Sequence, residues 1–293
     1  MLRRHCLLTG LPSLLAAGPA LAQELVVTLR APDSDSDSRN AYIRDAVQLA
    51  LDKTRVIEGP YRLELSPRMS KSRALVEASR GEVRNFLVVA GVDAGRAAGL
   101  APVPFPIHLG LNRFRVCFVH APRQAAVRAA TSVAAVARLR HVQGSDWPDV
   151  AVMRANGFKV TEVSAYESLF ELVGLGRADL FCRNVLEIGD EIRAQAGTPG
   201  LAVDDSLLLS YDLPQYLYTH PSNRRAMERV ARGLRQAYGD GSLLALLQRY
   251  VQPSLALLNL PQRRLVTLTT PTPAVVEMND KPFQVDLQRL LAR

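Results

Sequence analysis

Apolar positions along this chain alternate between a period of two and a period near 3.6. The run Glu24–Arg30 (ELVVTLR) predicts a strand, and a polar loop, APDSDSDSRN, follows it. From about Asn40, the residues Ile43, Ala46, Val47, Ala50 and Leu51 fall on one helix face. Tyr61–Leu65 alternates as a half-buried strand, Lys71–Arg80 reads as a short helix, and Asn85–Ala90 (NFLVVA) as another strand. Strand, helix, strand, helix, strand predicts an α/β sheet.

Residues 91–112 are rich in Gly and Pro and read as a long connection, after which the rhythm begins again. A strand at Phe114–Val119 leads to a helical stretch at about Ala125–Leu139, a strand-like piece at Arg140–Val142 and a turn at Gly144–Trp147. A helix at Pro148–Asn156, a strand at Lys159–Val163, a helix at Tyr166–Leu175 and a strand at Ala178–Cys182 complete the second unit. Two such units predict two lobes, with a crossing near residues 112–116. Leu207–Tyr218 is extended, and a helix follows with Met227, Val230, Ala231, Leu234 and Tyr238 on one face, ended by Gly239-Asp240-Gly241. Ser242 is placed to cap one more helix, through Tyr250. Residues 251–293 read as a wrapping tail containing a strand at Arg264–Thr269.

The first residues change the picture of where the chain works. Arg3 and Arg4 precede an uncharged apolar stretch from Cys6 to Leu21, and Ala20-Leu21-Ala22 supplies small residues for cleavage. We expect residues 1–22 to be an export signal cut between Ala22 and Gln23, and the mature protein to be periplasmic. The arginine pair is compatible with either the general or the twin-arginine route. Cys6 lies before the apolar core, away from the cleavage point, which argues against a lipid anchor. The net charge is +8, with arginines scattered rather than clustered, so a solvated basic surface is expected and no nucleic-acid partner. Cys117 and Cys182 each sit in an apolar strand, free to serve either as a disulfide in an oxidising compartment or as two small buried side chains.

Three segments carry a resemblance. Tyr166–Arg183 (YESLFELVGLGRADLFCR) has a helix, the group Gly176, Arg177 and Asp179, and then a strand. Pro214–Tyr250 joins an extended Tyr216-Leu217-Tyr218 to a helix and to Asp240-Gly241-Ser242-Leu243, and Val142–Ser145 (VQGS) opens a helix at a glycine turn. In this order they resemble the solute-binding proteins of polar amino-acid ABC transporters, over roughly residues 24–252. The resemblance implies an α/β, two-lobed type II periplasmic binding fold with two crossover strands. Residues 24–112 would form the first lobe, 113–206 the second, 207–260 the return to the first, and 261–293 a C-terminal tail.

The resemblance also implies where a solute would be held. Arg96, in Asp93-Ala94-Gly95-Arg96, stands where an arginine grips the ligand carboxylate through paired hydrogen bonds. Gly144, Ser145, Asp146 and Trp147 open a helix whose N–H groups attract an anion, and Trp147 is placed either to stack on a ligand or to pack at the helix start. Asn184 stands where relatives carry the aspartate that meets an amino group, beside Arg183, which would repel one. Arg39 and Tyr42 are contacts if the acidic loop hangs over the cleft. Asp179 reads as structural. Asp33, Asp35 and Asp37 alternate as in a calcium loop but lack its glycine and distal glutamate. The five histidines have no metal spacing, and no catalytic residue, cofactor or metal is expected. The leading expectation is a monomer that captures a small polar solute for an inner-membrane permease. A sensory or accessory binding protein is the alternative, and a dehydratase-like enzyme using Glu187 is a more distant one.

Overall fold

The computed structural model describes residues 24–32, 41–271 and 281–285. The expected signal and its cleavage point, the Asp33–Asp37 loop and Arg39 lie outside the described residues.

The first half of the chain runs β1 (Leu25–Leu29), α1 (Ala41–Glu58), β2 (Tyr61–Leu65), α2 (Lys71–Arg80), β3 (Phe86–Gly91), α3 (Val92–Ala97) and β4 (Ala101–Pro102). The second unit runs β5 (Phe114–His120), α4 (Gln124–Ala129), α5 (Val133–Ala137), β6 (His141–Gly144), α6 (Pro148–Ala155), β7 (Val160–Val163), α7 (Tyr166–Gly174), β8 (Leu180–Asn184), α8 (Ile188–Ala194), β9 (Leu201–Val203) and β10 (Leu207–Ser210). β11 (Gln215–Thr219), α9 (Arg224–Gly239), α10 (Ser242–Leu258) and β12 (Arg264–Thr267) close the order.

These strands make two sheets, ordered β2-β1-β3-β11-β4 and β12-β10-β5-β8-β6-β7, with β9 on β5. Each sheet is one lobe of an α/β protein. The parallel pairs β1–β2 and β6–β7 point their carboxyl ends toward the loops that carry the candidate site, the end at which open α/β sheets bind ligands.

The first lobe rests on the face predicted for α1: Ile43, Ala46, Val47, Ala50 and Leu51 are buried. α9 crosses it with Val230, Ala231 and Leu234 buried. Gly233 is what allows the approach, since a Cβ there would lie 1.9 Å from the Ala50 carbonyl oxygen. Gly233→Ala is therefore expected to cost about 3 kcal/mol, the upper part of the range for an over-packed core, read as a lowered urea midpoint. Arg229 is fully buried at the same junction and donates to Glu58 O at 3.3 Å and Gly59 O at 2.7 Å. It thus satisfies the carbonyls at the end of α1, where the helix dipole favours a cation.

Several elements differ from expectation. Residues 91–112 are not all loop, since α3 and β4 lie within them. The helix expected over Ala125–Leu139 is two, because Ser132 leaves the helical path and its hydroxyl caps α5 at the Ala135 N–H. Gly241, rather than Ser242, is the N-cap of α10, and Asp240 accepts from the Ser242 N–H at 3.0 Å. α10 also runs past Tyr250 and through Pro253 to Leu258. Leu207–Ser210, assigned to the returning first lobe, belongs to the second sheet: Leu209 pairs with Arg115 of β5, and Leu207 with Arg264 of β12. Its three leucines are buried, the pattern of an interior strand rather than of a connection.

The chain crosses between sheets at 103–113 and at 211–214, and again at 259–263 through the tail. Arg263 secures this third crossing, donating to Leu258 O at 2.6 Å and Leu207 O at 3.2 Å beside the fully buried Asp204. Farther on, Phe283 returns to the first lobe, 4.8 Å from the Phe105 ring and 5.2 Å from Tyr238. Cys117 and Cys182 face each other across β5 and β8 and form a disulfide, the first of the two alternatives open in the sequence.

Candidate functional site

The turn Gly144–Trp147 ends β6. Trp147 folds back over Gly144 so closely that a Cβ there would lie 2.2 Å from the indole. Its N–H groups are already used: Ser145 N donates to Val163 O at 3.1 Å, Asp146 N to Glu162 Oε2 at 3.2 Å, and Trp147 N to Gly144 O at 3.2 Å. Asp146 takes the left-handed conformation that closes the turn (φ 62°). The first turn of α6 carries Asp149, whose carboxylate is committed to Arg115 and Tyr211.

Arg183 lies at the end of β8. Its guanidinium carbon is 4.5 Å from the Trp147 ring centroid, and it is ion-paired to Glu191 at 2.6 Å and Glu187 at 2.9 Å. Tyr166, at the start of α7, donates its hydroxyl to Glu191 at 2.6 Å. Loss of water opposes the Arg183 charge, but Glu187 and Glu191 outweigh it and raise Arg183 above its ordinary value. Burial, reinforced by Glu191, keeps the Tyr166 hydroxyl protonated. The cluster carries two carboxylates and one guanidinium, so this wall of the second lobe is negative on balance.

A buried network ties the two first crossings together beneath that wall. Arg115 donates to Asp149 at 2.8 Å and lies 4.5 Å from the Tyr211 ring centroid. Tyr211 donates its hydroxyl to Asp149 at 2.6 Å. Asn112 donates to Leu213 O at 2.6 Å, and its carbonyl accepts from Asn184 at 3.2 Å and from Arg115. The Asn184 side-chain oxygen accepts from Leu186 N at 2.9 Å. Both ends of Asn184 are thus committed to the hinge, and it is not presented to a solute. Burial alone would raise Asp149, but Arg115 and the Tyr211 hydroxyl hold it below the usual carboxylate range.

The first lobe contributes differently from expectation. Arg96 is exposed on the last turn of α3, where its charge acts on Tyr218 of the same lobe. Tyr42 is buried; its hydroxyl donates to Ile107 O at 2.7 Å, so it supports the crossing 103–113 instead of facing a ligand. Above it sits His108, 6.0 Å between ring centroids. Burial, with the positive charge of Lys71, lowers His108 to about 4 and leaves it neutral. Its Nδ1 is buried without a partner among the described residues.

Lys71 opens α2, just past the carboxyl end of β2, and remains accessible to solvent. Its ammonium has no hydrogen bond or ion pair among the described residues. Loss of surrounding water lowers its proton affinity, Glu187 of the other lobe partly restores it, and Arg30 adds to the lowering. Lys71 therefore stands on the first lobe within the electrostatic reach of Glu187 in that wall, and His108, in the crossing 103–113, feels the charge of Lys71. Of the residues expected at the site, the structure brings Trp147 and Arg183 together and places Gly144, Ser145 and Asp146 in the supporting turn. Asp179 is structural: it holds Arg140 and Arg123 at 2.7 and 3.1 Å.

No family model matches this chain, and no curated protein matches it. Solved structures do. The L-cystine solute receptor of Neisseria gonorrhoeae, in its unliganded open conformation, aligns over 79% of this chain and 94% of its own at 15% identity, with a TM-score of 0.50. The chain has the two-lobed periplasmic binding fold. An ancestral arginine-binding protein bound to arginine aligns over 79% and 99% at 11% identity, TM-score 0.51. The periplasmic domain of B. pertussis BvgS aligns over 80% of this chain and 44% of its own at 14% identity, TM-score 0.52. Within this periplasmic binding fold, sequence reasoning missed Lys71, His108, Tyr166, Glu191 and the Arg115–Asp149–Tyr211 network. Lys71 follows the Ser70 cap directly, and that position at a strand-to-helix junction was the available signal.

Proposed function

We propose that this protein binds a small solute carrying a carboxylate or similar anionic group between its two lobes, and that it does so without chemistry. The observation that carries this reading is Lys71: a solvent-reached cation at the carboxyl edge of the first sheet, held below its ordinary proton affinity and with no hydrogen bond or ion pair among the described residues. An anion entering the cleft supplies such a pairing, and charge-assisted hydrogen bonds of this kind are the strong ones. An α-ammonium finds no carboxylate at Asn184, whose side chain is tied into the hinge. Glu187 is engaged by Arg183, which argues for binding over acid–base catalysis. Export to the periplasm and delivery to an ABC-transporter permease are the setting we propose, supported by the amino-terminal pattern and by the disulfide, which belongs to an oxidising compartment.

Titration calorimetry with succinate and malate tests the reading. Lys71→Ala is expected to weaken binding about 10- to 100-fold, the worth of one hydrogen bond to a charged group. Affinity in the unaltered protein should fall as pH rises through the lowered value of Lys71, earlier than an ordinary lysine would allow. Unchanged affinity in Lys71→Ala contradicts the reading. The third crossing favours a second reading, a binding domain that reports to a sensor, because a strap across both lobes restricts their opening. Small-angle scattering with and without ligand separates the two: transport delivery expects a compaction on binding, and the strapped sensor expects almost none.

A further inference from the structure

We propose that a second ligand site, distinct from the cleft, lies at the outer end of the second lobe and takes a small organic phosphate. A cavity of about 330 Å3 opens there, lined by Arg138, Arg140, Arg154 and Lys159 around a floor that includes Phe158 and His141. It sits at the amino ends of β6 and β7, whereas the cleft turn lies at their carboxyl ends. Those four-residue strands separate the two sites by about 10–13 Å. The volume falls in the ordinary range of small-molecule pockets.

Its charge is the main argument. Arg140 is neutralised by Asp179, which is shared with Arg123, and Arg154 by Glu162 at 2.8 Å. Arg138 and Lys159 are exposed and have no hydrogen bond or ion pair among the described residues. No acidic residue lines the cavity. Two uncompensated positive charges match the two negative charges of a phosphate monoester, and the phosphate's several oxygens suit cations arriving from a helix and two strand entries. The floor adds a second observation. His141 is 1% exposed; its Nε2 lies 2.9 Å from Val136 O and so carries the hydrogen, which leaves Nδ1 an acceptor with no partner among the described residues. That nitrogen is sealed from solvent, so His141 and Phe158, 4.9 Å between ring centroids, make a packed floor and the exposed cations hold the phosphate.

Glycerol 3-phosphate is the probe, with neutral glycerol as control, followed by titration calorimetry at low salt on the mature protein. We expect saturable binding of glycerol 3-phosphate and none of glycerol. Arg138→Ala with Lys159→Ala should weaken it at least tenfold, and Lys71→Ala should leave it unchanged. Both replaced side chains are exposed, so the double variant should keep its unfolding midpoint. Absence of binding, or binding unaffected by the double substitution, overturns the proposal. Loss of binding in Lys71→Ala would place the phosphate in the cleft, overturning the second site while sparing the cleft reading.

Discussion

Replacing Asp149 with alanine is expected to destabilise the protein by about 3–5 kcal/mol, the cost of leaving a buried cation without its partner. Arg115 keeps only 5% of its side chain accessible, and its guanidinium and the Tyr211 hydroxyl converge on one Asp149 oxygen. Removing the carboxylate strands both, at the point where the two main crossings meet. Replacing Arg115 and Asp149 together with Met and Leu should cost much less than the single change, because no unpaired charge then remains. The pH dependence has a definite sign. Asp149 is lowered in the folded state, so its contribution is complete above the unfolded carboxylate value near 3.9 and is lost as pH falls through its lower folded value. Urea unfolding of the single and double variants, at neutral pH and near pH 3, measures all of this. A single variant within about 1 kcal/mol of the parent would refute the hinge assignment.

Removing the disulfide should have a comparable effect. Cys117 and Cys182 close a loop with a sequence separation of 65, and both are buried in the second sheet. Chain-entropy arguments put the loss at about 4 kcal/mol for a loop of this length, within a usual span of 2–5 kcal/mol. The expected signature of the Cys117→Ala, Cys182→Ala protein is a lowered urea midpoint with the lobe order intact. Thiol titration of the denatured mature protein should find no free thiol, since Cys6 belongs to the expected signal. Two reactive thiols would show that the strands pair without the covalent bond.

The fold was legible wherever burial imposes a period. The apolar faces of α1 and α9 and the alternation of β2 follow directly from spacing, whereas β1 and β3 show as short apolar runs because both of their faces are covered. Leu207–Ser210 was misplaced because three buried leucines look alike in either sheet, and only pairing with Arg115 and Arg264 decides between them. The site was less legible. Arg183 and Asn184 could be located by their place after β8, but whether Asn184 faces a solute depends on Asn112, 72 residues away. Asp149 reads in sequence as an ordinary first-turn acid; its pairing with Arg115 is a property of the folded hinge. Lys71 has no motif around it, and its nearness to Glu187 appears only when the second lobe is in place.

The most direct test of the cleft reading is a thermal-shift comparison of mature protein with succinate and malate against arginine and cystine. Binding at a hundredfold excess over Kd is worth about 2.7 kcal/mol, which for a chain of this length corresponds to a rise of about 5 °C in Tm. The account predicts such a rise for a carboxylate that lacks an ammonium, abolished in Lys71→Ala. A rise with arginine or cystine that survives Lys71→Ala, or no rise with any of the four, would contradict it.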